Sequence, residues 1–256
     1  MSAVTQAPLT PTAPGERTTP ASAKRPLLLT ILTIVTTILV VISLYMALAY
    51  AGQEADQGDV QRIFYIHVSA FAGAFIAFGI GVIGGIAYLV RRNPRWDRLA
   101  VSGIEVGFAL ALVNLFTGMA WARPIWNTWW TWDPRLTSAA IMVLTYAAYF
   151  MLRNGIENAD TRRRFASVYG ILAFSTVIIT FVIIRIRPDT IHPAVIGASP
   201  QNAEGGFRLA PSMLATLSYS MVVWSVFIPW VLIWWRLRLE NLNERVNALR
   251  AKALEE

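Results

Sequence analysis

The chain has 256 residues, of which 55% are hydrophobic and 14% charged, with a net charge of +7 and no cysteine. Soluble domains carry nearer ~25% charged residues, so a fully water-facing globular surface is excluded and most of the exterior must meet lipid. Without thiols, neither a disulfide framework nor a thiolate metal site is available.

Residues 1–25, dominated by Pro, Thr, Ser and Ala with no apolar period, read as a disordered cytoplasmic tail. Six apolar stretches follow at about 27–50, 64–90, 99–121, 136–152, 165–184 and 211–235, each near the ~20 residues that cross a hydrocarbon core. The first ends in Ala47, Leu48 and Ala49, which resembles a leader-cleavage site. The run nevertheless exceeds the ~7–15 residues of a leader's apolar region, so it is read as a span. The fold class expected is therefore an all-α polytopic membrane protein with six transmembrane helices.

Charge orients these spans. With the N-terminus in the cytoplasm, 16 of the 22 basic residues lie on the inner side. The six outside are Arg62, Arg123, Arg135, Arg185, Arg187 and Arg208. This is the asymmetry of the positive-inside rule. The net charge thus reports topology and calls for no nucleic-acid partner. An even number of spans puts both termini in the cytoplasm, in a cytoplasmic (inner) membrane.

On this topology both histidines face outward. His67 lies in the first turns of the second span, and His192 lies in the loop after the fifth. Imidazole is the commonest transition-metal ligand, while a histidine near a helix end also serves as an interfacial hydrogen-bonder; both readings stay open. Along the second span Phe64, His67, Phe71, Phe75 and Phe78 share one face. Phe64 and Phe71 are candidates to touch a ligand, and the deeper rings suit lipid or a neighbouring helix. The opposite face carries Gly73, Ala77, Gly81 and Gly85, a spacing for close helix contact. In the third span, Glu105 is expected to pair with Arg98 or Arg95 near the inner interface, and Asn114 and Thr117 to bond between helices.

The segment 121–135 holds Trp121, Trp126, Trp129, Trp130 and Trp132, five of the ten tryptophans. An interfacial belt explains one or two such rings; five suggest an amphipathic platform on the outer surface. Arg123 and Arg135 flank it, and Asp133 with Pro134 forms a cap and first residue for the fourth span. After Trp235, residues 237–256 place Leu239, Leu242, Val246, Leu249 and Ala253 at helical spacing. They form a cytoplasmic amphipathic helix that lies on lipid, docks a partner or is simply solvated.

Haem suits these features together: a flat apolar macrocycle, an iron that takes axial imidazoles, and two propionates. Arg123, Arg135, Arg187 and Arg208 are the propionate candidates. At this point the chain resembles the CcmC family, haem-handling membrane proteins of cytochrome c maturation. The resemblance covers most of residues 26–236 and is densest from Glu105 through Gly118, in Trp121 to Pro124, and from Trp126 through Asp133 to Ser138. Tyr65, Ile66, His67 and Val68 match its first histidine site.

The resemblance implies a non-enzymatic protein that holds haem b non-covalently and transiently. His67 and His192 would ligate the iron against Trp121, Trp126, Trp129, Trp130, Trp132 and Asp133, with Arg123 and Arg135 at the propionates. It further implies delivery to a periplasmic haem chaperone, with the ATPase and permease subunits of an ABC transporter as partners. Asn127 departs from the family's usual Gly, Pro134 replaces a small residue, and the aromatics that usually precede the second histidine are absent.

Three alternatives are set against this. A cytochrome c synthase-type subunit shares the Trp-rich motif but has more histidines. A transporter moving haem or a small solute through its own helices would want polar midplane residues, for which Asn114 and Gly118 offer slight support. A di-haem cytochrome b would need four axial histidines.

Overall fold

The structure, a computed structural model, describes residues 26–187, 189–193 and 209–255. The tail expected over 1–25 and Arg208 lie outside these residues. No β-strand occurs among the described residues, and six helices are long and apolar enough to cross a bilayer. The protein is a multi-pass membrane protein.

Helix α1 (Leu27–Tyr45) runs into a π turn (Met46–Tyr50), and a short 3-10 turn (Asp59–Arg62) leads into α2 (Ile63–Arg91). Then come α3 (Pro94–Trp126), α4 (Pro134–Gly155) and α5 (Ala159–Ile186). The last rod comprises α6 (Pro211–Val222), a second π turn (Val223–Phe227) and α7 (Ile228–Glu255). It carries the amphipathic C-terminal segment as a direct extension of the sixth span, which ends at Asn243.

Local chemistry sets the helix starts. Asn93 accepts a hydrogen bond from Arg95 N with Pro94 at the first helical position, and Asn158 accepts one from Thr161 N. Each satisfies a backbone donor that the first turn leaves free.

Helix α2 is the centre of the bundle. A Cβ on Gly84 would come within 2.6 Å of Ala100 N, and one on Gly103 within 2.7 Å of Ala77 O. The α2 and α3 backbones therefore touch directly, which only small residues permit. The deeper phenyl rings meet neighbouring helices, as expected. Phe78 stacks on Tyr146 of α4 at 3.8 Å, and Phe75 meets Phe174 and Phe181 of α5. Helix α1 is peripheral, its leucines and isoleucines largely exposed. Polar contacts tie it to the last rod, among them Ser43 with Ser220 at 2.9 Å and Trp235 Nε1 to Thr33 Oγ1 at 2.8 Å.

Away from the Trp-rich end, ion pairs join separate helices. Arg153 on α4 donates to both oxygens of the buried Asp97 at 2.9 and 2.7 Å. Glu105 has a structural partner, but that partner includes Arg236 on α7, which donates from Nε and, at 3.1 Å, from Nη2. Glu105 faces across the bundle to α7, a relationship that linear spacing does not reveal.

Candidate functional site

The segment expected as one loop over 121–135 is divided. Helix α3 continues through Trp126, residues 127–133 form the connection, and α4 begins at Pro134. At 33 residues α3 reaches ~50 Å, beyond a hydrocarbon core of ~30 Å. Its final turns therefore leave the apolar zone, where Arg123 is no obstacle and Pro124 removes a single backbone donor. Asn127 closes the helix at φ 55°. That left-handed conformation favours glycine and is otherwise tolerated best by Asn or Asp, so Asn127 keeps the turn.

At this end of the bundle a cavity opens between α2, α3, α4 and the two longer connections. His67, His192, Trp121, Trp126, Trp130 and Arg135 all line it. The other expected site residues do not. Trp129 and Trp132 are 56% and 81% exposed, Arg123 donates to the Asn127 carbonyl, and Asp133 is buried beneath the wall.

The two imidazoles are oriented alike. His67 Nδ1 lies 2.9 Å from the Asn114 carbonyl and His192 Nδ1 lies 2.9 Å from the Pro193 carbonyl. A carbonyl can only accept, so each Nδ1 carries the proton and each Nε2 keeps its lone pair. This is the tautomer of a metal-ligating histidine with its outer partner in place. Asn114 Nδ2 donates to the His67 carbonyl at 2.8 Å and also approaches the ring, 3.2 Å from Nδ1 and 3.4 Å from Nε2. Thr117 Oγ1 stands 3.3 Å from His67 Nδ1. Gly118 supplies the space, since a Cβ there would meet His67 Cε1 at 2.9 Å. Asn114 and Thr117 thus do bond between helices, and His67 is what they hold.

The ring centroids of His67 and His192 are 6.1 Å apart, with planes inclined by 36°. At this spacing both rings would be within reach of a single ion. Among the described residues no cluster of three or more His, Cys, Asp or Glu offers a self-sufficient metal site, whereas a macrocycle-bound iron asks only two ligands of the protein. His192 lies outside the spans, and burial, then the charge of Arg135, then His67 pull its pKa down to about 3. It is a neutral base at any ordinary pH.

The propionate candidates separate clearly. Arg187 is paired with Asp189 at 2.6 Å. Arg135 reaches the cavity, its guanidinium 4.6 Å above the Phe71 ring, and its Nη1 is buried with no hydrogen-bond partner. Phe71 therefore supports Arg135 and does not itself line the cavity, while Phe64 does.

The connection before α2 supplies residues that the sequence did not single out. Gln57 accepts from Trp121 Nε1 at 2.9 Å and lines the cavity with Gln61. Their four-residue spacing was the available signal. Trp121 meets Trp126 edge-to-face at 5.0 Å, so this pair forms a rigid corner of the wall.

These features define a polytopic membrane protein with a histidine- and tryptophan-lined cavity at one end of its bundle. The chain belongs to the heme exporter protein C (CcmC) family, whose profile matches residues 16–252. It is 29% identical over 201 residues to heme exporter protein C of Paracoccus denitrificans, covering 78% of this chain and 81% of that protein. The Rhodobacter capsulatus protein of the same name is 36% identical over 118 residues, 46% of this chain and 48% of that one. A ccmC-like mitochondrial protein of cytochrome c biosynthesis from Arabidopsis thaliana is 35% identical over 108 residues, 42% of each chain.

Proposed function

We propose that this chain is a haem carrier of cytochrome c maturation, holding haem b as a non-covalent, transient cargo. His67 and His192 ligate the iron through Nε2, and Trp121, Trp126 and Trp130 flank the macrocycle. Arg135 meets a propionate. The observation that carries this reading is the pair of Nε2 lone pairs, each set by an Nδ1 bond to a carbonyl, on rings 6.1 Å apart at one cavity.

The distribution of arginines supports placing this cavity on the extracytoplasmic side of the inner membrane. From there haem passes to a periplasmic haem chaperone, the chain working beside the ATPase and permease of an ABC-type complex. The protein binds and hands over, and no bond of the macrocycle is made or broken. The names of the relatives support the haem assignment. The residues once consistent with a solute pathway, Asn114 and Gly118, are accounted for by the seating of His67.

The test is the absorption spectrum of the purified protein loaded with haemin, alongside His67→Ala and His192→Ala. Each variant is expected to lose the six-coordinate, bis-imidazole spectrum. Wild-type spectra in both would overturn the ligand assignment.

A further inference from the structure

We infer that Asp133 is a positioning residue for His192, one carboxylate both starting α4 and pinning the loop that carries the second imidazole. The inference rests on the reading of His192 as an iron ligand.

Asp133 is 7% exposed and saturated with donors. Its Oδ1 accepts from Arg135 N at 2.7 Å and Leu136 N at 3.4 Å, the bonds of a helix cap. A cap needs no more than this one oxygen. The same Oδ1 also accepts from Thr190 Oγ1 at 2.9 Å, and Oδ2 accepts from Ile191 N at 2.7 Å. Thr190, itself 2% exposed, then accepts from His192 N at 3.3 Å. Two consecutive backbone amides next to the imidazole thus end, directly or through one hydroxyl, on Asp133. The loop has no regular secondary structure here, so these bonds set where the His192 ring stands relative to His67. A carboxylate suits this place because both of its oxygens accept, which no other side chain of this size offers.

That chemistry separates the two roles. In Asp133→Asn the remaining oxygen still caps α4, since Asn is as good a cap as Asp, but the amide presents a donor to Ile191 N–H. The full-length variant is purified, its helicity and melting compared with wild type, and its haemin spectrum and affinity measured. Haemin should bind about 10–100-fold more weakly, as for loss of an outer partner of a metal ligand, with a shift from six- to five-coordinate iron. Added imidazole should restore the six-coordinate spectrum in Asp133→Asn as it does in His192→Ala.

A wild-type spectrum in Asp133→Asn beside an altered one in His192→Ala overturns the positioning role and leaves the ligand reading standing. An unaltered His192→Ala overturns the ligand reading itself. Weak binding that imidazole does not restore assigns Asp133 to the fold at large and also overturns the inference. Thr190→Val, which keeps the cap and removes the hydroxyl, should shift the spectrum the same way. If Asp133→Asn does not fold, a wild-type spectrum in Thr190→Val overturns the inference.

Discussion

The side chain of Gly118 that does not exist is what admits the ring of His67: a methyl group there would lie 2.9 Å from Cε1 of the imidazole. The contact joins α3 to α2 at the level where the Asn114 carbonyl receives the Nδ1 proton. Gly118→Ala must therefore tilt the ring away from that carbonyl. Overpacking of this kind costs ~1–3 kcal/mol. The expected result is a modestly lower melting temperature with a marked loss of six-coordinate haem. A variant that melts lower yet keeps the wild-type spectrum would show that the ring orientation does not depend on this space.

Arg135 is expected to discriminate among possible cargoes. Its buried Nη1 has no partner, and a hydrogen bond to a charged group is worth ~1.5–3 kcal/mol. Wild-type protein should bind haemin about 10–100-fold more tightly than the haemin dimethyl ester, which has no carboxylate. Arg135→Gln should erase that preference, whereas Arg123→Gln should keep it. Equal affinity of the wild type for acid and ester would remove the propionate role.

The tryptophans divide in the same way. Trp126→Ala and Trp130→Ala open the cavity wall and should lower haem retention about tenfold, the scale of one ring contact of ~0.5–1.5 kcal/mol plus its buried area. Trp129→Ala and Trp132→Ala remove rings that point outward and should leave retention close to wild type. A uniform loss across all four would mean that the segment acts as one platform.

Acid should weaken the seat of His192. Its folded pKa of about 3 lies below the unfolded value of ~6.5. The stability it contributes is complete above ~6.5 and is lost as pH falls from there toward 3. Thermal melts of the haem-free protein between about pH 7.5 and 5 should show wild type losing stability relative to His192→Gln. Parallel curves for the two proteins would show that the ring is solvated in the folded state.

Much of this was legible because a bilayer imposes one simple demand. Backbone polar groups in hydrocarbon must be satisfied within the segment, so long apolar runs become helices and their number and order follow from composition. The Asp133 cap and the crowding of tryptophan between two spans were equally local. The end of α3 was not: Arg123 and Pro124 look like loop residues, and only the length of the helix carries them beyond the core. Gln57 and Gln61 are ordinary until the connection folds back over Trp121.

By itself, then, the chain's order of residues determined six membrane helices, two histidines and a tryptophan-rich turn, since hydrophobic length and helix capping act over neighbouring residues. Tertiary structure alone decided which rings face the cavity, which arginine brings an unpartnered donor to it, and which nitrogen of each imidazole meets a carbonyl. Those outcomes depend on contacts between groups far apart in sequence, such as Asp133 with Ile191 and His67 with Asn114. Packing geometry, and no property of either residue alone, brings such groups within hydrogen-bond reach.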